Sequence, residues 1–180
     1  MEKNTSKKIQ ITGKRNIDSF SNNKEKSRKS FLDYESKKDN NTDLILNKSK
    51  QIEILNKLYL GQCYDGYKYV EKEIKKKISA YKRQDISKKR YNKETLITYD
   101  ECVEKLVLSK LKCNYCLCDC VLVYKNVREK KQWTLDRIDN DMDHSKNNTV
   151  ICCLECNLKK RTTNDNAFRF AKQVKIIKGF

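Results

Sequence analysis

Proline is absent from this chain, and so is any apolar run of membrane-spanning length. The longest apolar stretches are Val121 to Tyr124 and Val150 to Leu154, far short of the roughly 20 residues a transmembrane helix needs. A membrane is therefore not an expected partner. No apolar segment follows the first charges of the N-terminus, so that end does not read as a signal peptide. An intracellular protein, in the cytoplasm or nucleus, is expected. The missing proline, beside abundant lysine and asparagine, reads as the base composition of an AT-rich genome and excludes no fold. Apolar residues are scarce for 180 positions: 37% are hydrophobic and 36% charged. Much of the length cannot be packed core, and one compact domain of roughly 100 residues with a flexible arm is the economical reading.

What the chain does have is positive charge and cysteine. Lys and Arg number 41 against 24 Asp and Glu, a net charge of +17. A surplus that large attracts phosphates and makes nucleic acid the first candidate partner. The nine cysteines are an odd number, which excludes complete internal pairing. In a reducing compartment their paired spacings favour a metal over disulfides.

Three segments follow from composition. Residues 1–50 have scattered apolar side chains without period and read as a disordered basic arm. Its Lys24-Glu25-Lys26-Ser27-Arg28-Lys29 run is a candidate localisation signal or phosphate contact. Residues 51–98 read as a helical basic region. Ile52, Leu55, Leu58 and Tyr59 fit one face of a short helix ending near Gly61. Tyr67, Val70, Ile74, Ile78 and Tyr81 recur every three or four residues as the stripe of a longer one. From Lys68 to Lys93 there are 11 Lys or Arg against Glu71, Glu73 and Asp85. Lys75, Lys76, Lys77, Lys82, Arg83, Lys88, Lys89 and Arg90 are the candidate DNA-backbone contacts here, with Lys159, Lys160 and Arg161 further on. Such contacts give affinity and salt dependence without sequence specificity.

Residues 99–180 carry the chemistry. Thr98 and Glu101 form a capping box. Behind it Cys102, Val103, Leu106, Val107 and Leu111 make a buried helical stripe, and Cys63 and Cys102 read as small core residues. Val121 to Lys125 and Gln132 to Asp136 are β-prone runs that predict a hairpin across a charged turn. Asn140 to Asn148 reads as a polar loop. Thr149 to Cys152 is a short extended piece, with a helix from about Leu154 to Arg161. Phe170, Ala171, Val174 and Ile177 predict a last helix that packs back on the core.

Two C-x-x-C pairs, Cys113/Cys116 and Cys153/Cys156, are the pattern of one tetrahedral four-thiolate zinc site. Each presents two sulfurs from a knuckle. Cys118, Cys120 and Cys152 stand close enough in sequence to exchange with a ligand. A closed four-sulfur site leaves no position for water, so its expected role is to hold the surrounding elements in register.

Between the pairs stand Trp133-Thr134-Leu135-Asp136-Arg137-Ile138-Asp139-Asn140 and then Asn148, and Asn157 follows the second pair directly. In that order these features resemble the HNH endonucleases, and the wording around Asp136 looks like variants found in phages and large DNA viruses. The resemblance covers Cys113 to Arg161. It implies an α+β fold with a small ββα-metal core on the zinc site, preceded by helices and the basic arm. It also implies hydrolysis or nicking of DNA phosphodiester bonds with a second, catalytic ion. Oxygen ligands suit magnesium or manganese, and by resemblance they would be Asp136 and the side-chain oxygen of Asn157. Asn148 matches the central Asn, which orients the catalytic base. The family usually has His after the metal-binding Asp, and here Arg137 stands there. A guanidinium stays protonated and cannot deprotonate water, though it can clamp a phosphate. The candidate bases are then His144, the only histidine, and Asp139. The alternative reading is a non-catalytic zinc-ribbon DNA-binding protein with a degenerate site.

Overall fold

The computed structural model describes residue 28 and residues 47–62, 64 and 66–174. Most of the basic arm, Cys63 and Ile177 therefore lie outside the described residues. Helix α1 spans Lys48–Tyr59 and begins inside the stretch expected to be arm, because the Asn47 side chain caps it by accepting from the Ser49 amide. Gly61, at φ +66, turns the chain after it. Helix α2, Tyr67–Ser87, buries Val70 and Ile74 as its stripe predicts. Helix α3, Tyr99–Leu108, starts on the expected capping box between Thr98 and Glu101 and buries Cys102, Val103 and Leu106. Strands β1, Trp133–Arg137, and β2, Thr149–Cys153, pair antiparallel, with Trp133 opposite Cys153 and Asp136 opposite Val150. Helix α4, Leu154–Lys160, follows β2 without a break, and α5 spans Asp165–Gln173. Among the described residues the architecture is α+β: helices around one two-stranded sheet.

One buried cluster joins these elements. Leu55 and Leu58 of α1, Ile74 of α2, Leu106 of α3 and Trp133, Leu135 and Ile151 of the sheet all belong to it. None of the described helices is long and apolar enough to cross a membrane.

The expected hairpin is corrected. The 133–137 strand pairs with 149–153 across the polar loop, and the 121–125 run meets it only through an isolated bridge between Val121 and Gln132. The reason is Gln51, a buried polar residue of α1. Its Oε1 accepts from the Leu122 amide at 2.5 Å and from Val123 at 3.3 Å, and its Nε2 donates to the Val123 carbonyl. A side chain has taken the backbone bonds that a strand partner would supply.

The face of α5 is also corrected: Phe170 is 73% exposed. Asp165 faces inward instead, its Oδ1 2.6 Å from the Tyr115 hydroxyl oxygen, and Phe168 meets the Tyr115 ring edge-on at 5.1 Å. Gln173 donates to the Asn114 and Tyr115 carbonyls, one more step along that face.

Candidate functional site

The four cysteines come together. Cys113 and Cys116 sit on the knuckle after α3, where Lys110, Leu111 and Leu117 adopt positive φ and Leu117 donates back to the Cys113 carbonyl. Cys153 ends β2 and caps α4, its sulfur accepting from the Cys156 amide at 3.4 Å. All four sulfurs lie within 4.8 Å of one another, with Cys116 and Cys153 3.9 Å apart. A tetrahedron with zinc–sulfur bonds of about 2.3 Å has edges of about 3.8 Å, so the cluster fits a metal such as zinc. Of the spare thiols, Cys152 is buried against Thr134, 3.1 Å from its hydroxyl, and Cys120 is in the core. Cys118 stays beside Cys116 and Cys153.

The cysteine cluster sits where β2 ends and α4 begins, and a cavity of about 400 Å3 opens nearby against α2. Its wall includes Asp136 and Arg137 of β1, Asn157 of α4, His144 of the polar loop, and Lys76 and Arg83 of α2. Asp136 is buried. Its Oδ2 accepts from the Tyr115 hydroxyl at 2.5 Å and pairs with the Lys160 ammonium at 3.1 Å, while among the described residues Oδ1 makes no hydrogen bond. Asn157 is oriented by its own amide nitrogen, which donates to Thr134 Oγ1 at 3.1 Å and to the Leu135 carbonyl at 3.2 Å. That leaves the Asn157 Oδ1 without a partner among the described residues. A carboxylate oxygen and an amide oxygen are therefore both spare at one cavity.

The other predicted site residues divide. Asn148 is buried and spends its whole side chain on the loop: Nδ2 donates to the carbonyls of Asp139 and Asp143, and Oδ1 accepts from the Asp139 amide. It shapes the loop and touches no candidate base side chain. Arg137 likewise ties the loop, donating to the carbonyls of Asn140 and Met142. Asp139 is exposed, caps the Asp141 amide and does not line the cavity. His144, in the polar loop, is 3% exposed. Its ring stacks on Tyr81 at 4.7 Å, and its Nδ1 is 2.8 Å from Oδ1 of a fully buried Asp85. Burial lowers the His144 pKa below 6.5, and Asp85 works against that shift.

The basic residues divide too. Lys160 is fully buried, bonded to Asp136 and to the Arg137 carbonyl, so it holds the site and is not a surface phosphate contact. Lys77 is mostly buried between the Tyr124 and Trp133 rings and donates to Gln132 and to the Trp133 carbonyl. Burial pulls its pKa down to about 7. Lys75 and Lys159 are paired with Glu71 and Glu155 one turn away. Lys76, Lys82, Arg83, Lys88, Lys89 and Arg161 are exposed. Arg90 is half-buried, with Nε and Nη1 unbonded.

Three functional groups were not anticipated: Asp85, Tyr115 and Lys160 as a buried ion-pair partner. Asp85 follows Tyr81 by four residues and so continues the apolar stripe of α2. An acid on the inward face was its signal. Tyr115 stood in plain view inside the first C-x-x-C knuckle, where a large aromatic has to pack against something. Comparison with protein-family models, curated proteins and solved structures finds no match to this chain.

Proposed function

We propose that the protein is a metal-dependent DNA endonuclease of the HNH type, its strand–loop–strand–helix unit braced by zinc in the four-cysteine cluster. The observation that carries this reading is the pair of spare oxygens, on Asp136 and Asn157, at one basic-walled cavity beside the cluster. Hard oxygen donors of this kind suit magnesium or manganese. Such an ion, when bound, neutralises charge at the scissile phosphate and at the leaving 3′ oxygen. The chain's own part is to hold its ligands still: Tyr115 and Lys160 fix one oxygen of Asp136, and β1 fixes the Asn157 amide. Lys76 and Arg83 on the rim supply attraction for the DNA backbone.

One contact favours the second reading, a DNA-binding protein with a degenerate site. Lys160 already neutralises Asp136, and an ammonium there competes with a divalent cation. The two readings part in a plasmid-nicking assay with magnesium, manganese or EDTA. The nuclease reading expects nicking that needs the metal and is lost in Asp136→Ala and Asn157→Ala, with zinc content retained. DNA binding with no nicking under any metal selects the second reading.

A further inference from the structure

Arg137 stands where the resemblance would put a basic imidazole, yet the cavity does contain one. His144 comes from the loop between the strands, and it is gripped from a helix 59 residues away in sequence. Its backbone amide donates to Asp85 Oδ2 at 2.9 Å, while the ring Nδ1 lies 2.8 and 2.9 Å from the two carboxylate oxygens. Asp85 thus fixes both the loop and the ring. An ionised carboxylate only accepts hydrogen bonds, so in the neutral ring the proton sits on Nδ1 and the lone pair on Nε2. Tyr81 stacks beneath the ring and donates no bond to it; its hydroxyl is engaged with the Leu135 amide. Nε2 makes no hydrogen bond among the described residues, and His144 lines the same cavity as Asp136 and Asn157.

We infer that His144 is the general base of the hydrolysis and that Asp85 is its positioning residue, an imidazole–carboxylate pair supplied from outside β1. This rests on the nuclease reading. Nε2 takes a proton from the attacking water as the water oxygen bonds to phosphorus. The bond from phosphorus to the 3′ oxygen breaks with its electron pair left on that oxygen, which takes a proton from solvent. His144 returns its proton to solvent. Other designs fit less well. Asp139 is turned outward to a backbone amide, and Arg137 has no lone pair to offer.

The charges around the ring set its window. Asp85 favours the protonated form, whereas burial, Arg137 of β1 and Arg90 beyond α2 disfavour it. Asp136 and Lys77 face the same cavity. The base is therefore neutral and competent at neutral pH, and activity falls on the acid side as the ring protonates.

Because His144 is the only histidine, one experiment reads it without ambiguity. In the zinc-loaded full chain labelled with 15N-histidine, the expected signal is a neutral ring protonated at Nδ1, and Asp85→Asn should abolish that preference. A ring protonated at Nε2, or a freely averaging one, overturns the proposal. In the nicking assay, His144→Ala and His144→Gln should each lose roughly 10²- to 10⁴-fold in rate, with partial rescue of the alanine variant by added imidazole. Asp85→Asn should lower kcat more than KM and move the acidic limb to lower pH, and Asp85→Glu should recover part of the loss. If the His144 variants keep their zinc and melting temperature and nick like wild type, while Asp136→Ala is dead, the base lies elsewhere and the nuclease reading stands. If Asp136→Ala nicks like wild type, the nuclease reading fails and the role of the pair fails with it.

Discussion

The cysteine cluster and the cavity beside it are built in opposite ways. Each half of the cluster is local: two sulfurs three residues apart, one pair on the knuckle after α3 and the other across the junction of β2 and α4. The cavity wall is assembled from distance. His144 of the loop and Asp136 of β1 line it, and each is held from behind: His144 by Asp85 of α2, Asp136 by Tyr115 of the first knuckle and Lys160 at the end of α4. The Asp136–Lys160 and His144–Asp85 contacts are buried and matched, which is the arrangement in which removing one partner costs most. The cluster is thus a frame, and the cavity is a set of mutual dependencies hung on it.

The largest effect should come from breaking the frame. Structural zinc is worth about 10–16 kcal/mol in small zinc-finger peptides, comparable with or above the total stability of a domain, about 5–15 kcal/mol. Cys153→Ser, at the junction of β2 and α4, should lose bound zinc and abolish cooperative melting of the strand–helix unit, measured by elemental analysis and circular dichroism. Retention of a wild-type melt without metal would show that apolar packing alone suffices.

Next comes the cavity with the frame intact. Asp136→Ala leaves Lys160 fully buried without its counter-charge, a loss of about 3–5 kcal/mol for a broken buried pair. Adding Lys160→Met should recover most of the melting temperature, with zinc bound throughout and nicking still absent. Stability that stays low in the double variant would mean that the Tyr115–Asp136 bond, not the ion pair, carries the loss.

The same contrast explains what was legible in the chain. The stripes of α2 and α3, the capping box at Thr98 and the paired cysteines are short-range patterns, and all three stand in the structure. The partner of the 133–137 strand could not be read, because the competing 121–125 run is equally β-prone. Gln51, 71 residues upstream of Leu122, takes the backbone bonds of the 121–125 run. The last helix was turned to the wrong face because an acid, Asp165, faces in and a phenylalanine faces out. Apolar periodicity has no way to weigh a carboxylate that finds a buried hydroxyl. Asp136, Asn157 and His144 were nameable as candidates. The group that grips His144, and the burial of Lys160, depend on contacts that no spacing encodes.

Titration sharpens the contrast further. His144 is held below its unfolded value of 6.5, so the unfolded chain binds the extra proton first as pH falls. Stability is full above 6.5 and drops as pH falls through the folded pKa. Lys77 behaves alike over a higher window, from 10.5 unfolded to about 7 folded. The zinc-loaded protein should therefore melt at rising temperature from pH 6 towards pH 9. Lys77→Met should flatten the upper part of that curve and His144→Gln the part below 6.5. A melting temperature that falls over the same range would contradict the burial of both groups.

The smallest effect separates surface charge from site charge. Each lost phosphate contact lowers the slope of log K against log salt by about 0.9 on duplex DNA. Lys82, Lys88 and Lys89 are exposed, so replacing all three with alanine should flatten the slope by up to about 2.7 if each meets one phosphate. Lys75 and Lys159 are shared with Glu71 and Glu155, and each should count for less than one contact. Lys160→Met should leave the slope alone, because its ammonium is already spent on Asp136 and on the Arg137 carbonyl. If Lys160→Met flattens the slope as much as an exposed lysine does, that ammonium turns outward to DNA. Asp136 would then be free of it in the complex, and the objection that Lys160 blocks a cation at that carboxylate would fall away.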